Sequence, residues 1–105
     1  MTYEEVLTVL ADPTRRAVFE KLRDGPMAVS ELAQGFPVSR PAISQHLGVL
    51  KAAGLVRDVR QGTRRIYAVR PESLSELRDW LDGFWGDALS AYKAALEQEK
   101  GRDNV

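Results

Sequence analysis

Residues Ser39 to Leu55 read SRPAISQHLGVLKAAGL, and their types and spacing suit one chemistry above others, the reading of a nucleic-acid duplex. Ile43, Leu47 and Leu50 recur at intervals of four and three, the period of a helix with one apolar face. Arg40, Ser44, Gln45, Gly48 and Lys51 are left on the outer face, with His46 at the boundary. Glutamine can pair bidentately with adenine, arginine with guanine, and serine with either a base or a phosphate. His46 either reads a base or holds the backbone or a phosphate without reading one. Ser39 offers the N-cap hydroxyl, Pro41 falls in the first turn where a missing N–H costs least, and Gly54 is placed to end the helix. Ser39 and Pro41 are therefore counted with the contact residues of this helix start.

Such a helix needs elements to hold it. Downstream, Leu55–Arg60 and Arg64–Val69 are β-rich runs around a Gln61-Gly62-Thr63 turn, which reads as a basic hairpin. Alternation sends Arg64 and Arg65 to opposite faces of the ribbon, so at least one is expected to reach DNA, with Arg60 and Thr63 counted beside them. Arginine at a hairpin tip suits the negative potential of a minor groove. Upstream, Thr2-Tyr3-Glu4-Glu5 has capping-box spacing ahead of Val6, Leu7 and Leu10. Asp12-Pro13 starts a second helix with Ala17, Val18, Phe19 and Leu22 on its stripe, and Gly25-Pro26 stops it. A third helix is expected over roughly Val29 to Gln34, with Ala28 where a capping hydroxyl would normally stand, so its start is expected to be loose. Gly35-Phe36-Pro37-Val38 then makes the turn before Ser39.

After the hairpin, Ser73-Leu74-Ser75-Glu76 repeats the capping-box spacing. Leu74, Leu77, Leu81, Phe84, Ala88, Tyr92 and Ala95 follow at threes and fours, predicting a long amphipathic helix over 73–99. Trp80, Trp85, Leu89 and Leu96 widen its apolar band beyond what one small core requires. Tyr3, Val6, Leu7, Leu77, Trp80, Leu81, Phe84, Trp85, Leu89 and Tyr92 are accordingly expected at a homodimer interface built from helices at about 3–11 and 73–99. Gly83 and Gly86 mark either a break in the long helix or a close crossing. Residues 1–99 read as one domain and 100–105 as a polar, frayed tail.

The totals exclude several classes of function. In a chain of 105 residues the formal charge is zero, yet between residues 36 and 70 seven basic residues face Asp58 alone, a net of +6. The acidic excess lies in the flanks, so one face is presented to phosphate and the rest repels it. With no cysteine there is no disulfide or thiolate nucleophile, and around a single histidine no catalytic constellation can be assembled. The chain reads as no enzyme and needs no cofactor. No apolar run approaches the roughly 20 residues that span a bilayer, and Met1-Thr2-Tyr3-Glu4-Glu5 is unlike a signal-peptide start, so a cytoplasmic location without membrane contact is expected.

Leu10-Ala11-Asp12-Pro13-Thr14-Arg15-Arg16, Val29-Ser30-Glu31-Leu32-Ala33, Ser44-Gln45-His46-Leu47 and Leu50-Lys51-Ala52-Ala53-Gly54-Leu55-Val56 together resemble the arsenic-repressor (ArsR) family. The resemblance covers roughly residues 3 to 97 and rests on order and spacing. It implies a mainly α winged helix-turn-helix of order α-α-α-α-β-β-α, dimerised through its terminal helices, that represses transcription at an inverted repeat of double-stranded DNA. In the family's thiolate-sensing branch, cysteines stand at positions that align with Ala28 and Ser30. In its zinc and nickel branch, His and carboxylates lie on the last helix, where this chain offers only Asp79, Asp82, Asp87 and Glu97. The cysteine-free, autorepressor-like branch is therefore implied, with no metal site. Arg15 of the Thr14-Arg15-Arg16 signature is expected in a structural ion pair, and Arg16 near a phosphate. Two other readings stand beside this one. A small-molecule inducer could enter a pocket framed by Trp80, Phe84, Trp85 and Tyr92, or the basic hairpin could serve a protein-interaction module.

Overall fold

Helices begin here where a side-chain oxygen can cover an unpaired first-turn amide. In the computed structural model, which describes residues 2–103, Thr2 Oγ1 accepts from the Glu5 amide at 3.2 Å to start α1 (Tyr3–Val9). Asp12 Oδ1 accepts from the Arg15 amide at 2.9 Å to start α2 (Pro13–Lys21). That amide, more than the charges of His46 and Arg15 nearby, holds the Asp12 carboxyl below the usual carboxylate range. α3 (Val29–Gln34) follows Ala28, which has no oxygen to offer. Only the reverse contact forms, with Glu31 Oε1 accepting from the Ala28 amide at 3.4 Å, so this helix start is held from one side. Ser39 Oγ accepts from the Ala42 amide at 3.2 Å to start α4 (Arg40–Ala52).

The end of α4 is equally well defined. Gly54 adopts φ +76°, its amide donates to Lys51 at 2.9 Å, and the Leu55 amide reaches back to Leu50 at 3.0 Å. This is the paired closure of a Schellman motif, with Leu50 and Leu55 both fully buried beneath it. The chain leaves directly into β2 (Val56–Gln61), turns at Gly62 with φ +64°, and returns as β3 (Arg64–Val69). Val56 pairs with Val69, Asp58 with Tyr67 and Arg60 with Arg65. A further strand, β1 (Met27–Ala28), pairs antiparallel with the free edge of β3, giving the order β1-β3-β2. The expected element order lacked β1, because two residues carry no period to read.

Val6, Val18, Leu22, Leu32, Ile43, Leu47, Leu50, Leu55 and Val56 form the core that α1 to α4 and the sheet enclose. Val6 was expected at the dimer interface; it is fully buried in the core of its own chain and has no surface left for a partner. Leu77 also packs against this core. Tyr3 stacks on Trp80 at 5.0 Å between ring centroids and Trp80 on Phe84 at 5.7 Å, so these rings pack α1 onto the last helix.

That helix, α5 (Ser75–Asp103), is continuous for 29 residues, with no break at Gly83 or Gly86. It starts later than the capping-box spacing implied. Ser73 lies in a short 3-10 turn, Pro71–Leu74, and its hydroxyl donates to the Arg70 carbonyl at 2.6 Å rather than capping a helix. Polar residues do not interrupt it, and helix runs past Lys100, where a frayed tail was expected, as far as Asp103; residues 104 and 105 lie outside the described residues. From Arg78 to Gly101 every side chain is exposed. No helix among the described residues is long and apolar enough to cross a membrane.

Candidate nucleic-acid interface

The apolar stripe of α4 is seated in the core through Ile43, Leu47 and Leu50, and this rotation decides what the opposite face presents. Arg40, Pro41, Ser44, Gln45, Gly48 and Lys51 are exposed on it, while His46 is half-buried on the flank toward the start of α2. Ser39 is exposed and engaged as the cap.

At its N-terminal end α4 meets the tip of the β2–β3 wing and the start of α3 around an open cleft of about 450 Å³. Arg40, Pro41 and Ser44 line it from the helix, Thr63, Arg64 and Arg65 from the wing, and Ala28, Val29 and Ser30 from α3. Three guanidinium groups in one concavity, beside the positive end of a helix dipole, make a site for an anion with several oxygens. Arginine's planar fork suits phosphate or a guanine edge.

The arginines do not hang free. Arg64 Nη2 donates to Glu31 Oε1 at 2.5 Å, tying the wing tip to α3. Arg65 donates to Asp58, whose other oxygen accepts from Lys51 Nζ at 2.7 Å. The two hydrogen-bonding cations pull the Asp58 carboxyl below its usual range, Lys51 the more strongly. Pairing with Asp58 raises the Arg65 guanidinium correspondingly. By the strand register, Arg60, Arg65, Asp58 and Tyr67 share one face of the ribbon and Arg64 lies on the other, yet both arginines line the cleft because it wraps the tip.

Within the Thr14-Arg15-Arg16 segment, Arg15 plays a different part from the one expected. Arg15 makes no ion pair among the described residues; its Nη1 donates to the Val9 carbonyl at 2.9 Å, and Arg16 Nη1 to that of Leu10 at 3.0 Å. Both cap the end of α1, where carbonyls lack intrahelical partners, and Arg16 also approaches Glu20 at 3.9 Å. Glu31 and Asp58 were absent from the expected site. Asp58 had a signal in the sequence, as the only acid in the basic stretch. Glu31 had none, since its partner is 33 residues away.

Residues 10–59 match the family described as a helix-turn-helix domain. The chain is 56% identical over 90 residues to the HTH-type transcriptional regulator Rv2034 of Mycobacterium tuberculosis, covering 86% of this chain and 84% of that protein. It is 34% identical over 79 residues to the transcriptional repressor SdpR of Bacillus subtilis, covering 75% and 88%. The crystal structure of the ArsR family transcriptional regulator RHA00566 superposes with a TM-score of 0.74 at 36% identity, covering 83% of this chain and 90% of that one. These coverages extend the likeness beyond the helix-turn-helix to the wing and the start of α5.

Proposed function

The chain belongs to the ArsR family of winged helix-turn-helix transcriptional regulators, DNA-binding proteins and not enzymes, and from that premise we propose that it is a homodimeric repressor reading an inverted repeat. Arg40, Ser44 and Gln45 of α4 enter the major groove, and Thr63, Arg64 and Arg65 flank it from the wing. The observation that carries this reading is the convergence of three arginines on the open N-terminal end of α4. Two copies of α4 would lie about 34 Å apart, one turn of B-DNA. α1 and α5 supply the dimer contacts through Tyr3, Leu7, Leu77, Trp80, Leu81, Phe84, Trp85, Leu89 and Tyr92, all of which retain exposed surface.

Arg40→Ala and Gln45→Ala are each expected to weaken operator binding by about 1–3 kcal/mol while changing random-duplex binding less. Fluorescence anisotropy on both duplexes gives the ratio. Equal losses on the two would reduce these side chains to phosphate contacts, and no loss on either would remove α4 as the reader.

Repression by this chain is proposed to be independent of transition metals. Ala28 and Ser30 stand where the family's thiolate sensors carry sulfur, and the single histidine is on α4 rather than α5. Oxygen donors alone make a poor zinc or cadmium site. Zn(II), Cd(II) or As(III) at micromolar free concentration is expected to leave the operator complex intact in a gel-shift titration. Stoichiometric release, reversed by a chelator and lost with Asp79→Asn or Asp82→Asn, would overturn this.

A further inference from the structure

Asp58 is the one acidic residue among the seven basic ones between positions 36 and 70, and it grips two of them at once. Its side chain is only 5% exposed although it sits on the wing. One oxygen takes Lys51 from the last turn of α4 and the other takes Arg65 from β3, so a single carboxylate ties the reading helix to the wing. Directly across the ribbon from Arg65 stands Arg60, which has no acidic partner among the described residues. Like charges opposite one another repel, and the carboxylate beside them relieves that repulsion. The same contact keeps part of the charge of Lys51 and Arg65 away from phosphate.

We propose that Asp58 is a specificity-determining residue of the DNA interface, one that fixes the wing against α4 and limits the attraction of this face for any duplex. The proposal rests on the DNA-reading role given above. Phosphate attraction carries no sequence information and strengthens binding to operator and random duplex alike. Discrimination improves when the cations that supply it are restrained, because a contact held in one place is made only by a duplex seated in the matching register. Asp58 is a positioning group and itself touches no base.

Asp58→Asn keeps the side chain's size and an acceptor for Lys51 but adds one net positive charge. Anisotropy titrations would use a random duplex and the duplex that the wild-type protein selects from a randomised pool. Binding to the random duplex is expected to tighten, with the slope of log K against log salt steeper by about one unit. The selected-to-random ratio is expected to fall by about tenfold. Asp58→Glu keeps the charge and displaces it by one methylene, so it should leave the salt slope unchanged while lowering the ratio. A ratio unchanged in both variants overturns the proposal, as does a loss of affinity for both duplexes in parallel, which marks mere structural support. A wild type that selects no sequence overturns the DNA-reading role itself, and the two failures are therefore distinguishable.

Discussion

Trp85→Glu is expected to abolish operator binding although Trp85 belongs to α5, which contributes no side chain to the cleft. Trp85 is 63% exposed and Tyr92 65%, and with Leu81, Phe84, Leu89 and Leu96 they form an apolar band on a helix that touches its own core only near its start. A band of this extent on so small a chain marks an interaction surface. Two-fold symmetry would cover it with a second copy of itself. Burying one large apolar side chain contributes about 1.5–3 kcal/mol, and a symmetric interface loses that contribution twice when the residue is changed. The dimer should therefore weaken by two to four orders of magnitude, at about 1.4 kcal/mol for each tenfold. A monomer reads a single half-site, so binding to the inverted repeat collapses with it. Sedimentation and anisotropy on the same samples test this, with Leu81→Lys as a second variant and a melting temperature that becomes steeply concentration-dependent. A wild type that sediments as a monomer at micromolar concentration and still binds the inverted repeat with full affinity would show that α5 is not the interface.

Replacing Arg64 and Arg65 together with alanine should have the next largest effect. The cleft then keeps Arg40 alone of its three guanidinium groups, and Glu31 loses its partner while Asp58 retains only Lys51. An uncompensated carboxylate beside a phosphate adds repulsion to the lost attraction, so affinity should fall by roughly one to two orders of magnitude for operator and random duplex alike. The log–log salt slope should flatten by about one to two units, near one for each cation removed. Unchanged affinity with an unchanged slope would leave the wing tip in solvent.

Much of this architecture was legible because it is decided locally. The hydroxyl or carboxylate of Thr2, Asp12 and Ser39 caps an amide three residues ahead, and Gly54 closes α4 through hydrogen bonds that reach back no more than five residues. The stripe of Ile43, Leu47 and Leu50 determines which face of α4 is buried and hence that Arg40, Ser44 and Gln45 face outward. The Ser73 spacing misled for the same local reason. A hydroxyl that could cap a helix found the Arg70 carbonyl first, and the long helix began at Ser75.

The amino-acid sequence by itself thus determined the starts of α1, α2 and α4, the wing turn at Gly62 and the polar face of α4, since each depends on interactions within about one helical turn or one tight turn. Tertiary structure alone decided that Val6 belongs to the core rather than to a partner, and that two residues at Met27–Ala28 complete a third strand on the open edge of β3. It also decided that Arg15 caps α1 and that Glu31 and Asp58 orient the wing arginines. The reason is geometric. Pairs such as Glu31 with Arg64 or Lys51 with Asp58 lie on different elements, and their distance exists only after α3, α4 and the wing have packed onto one core.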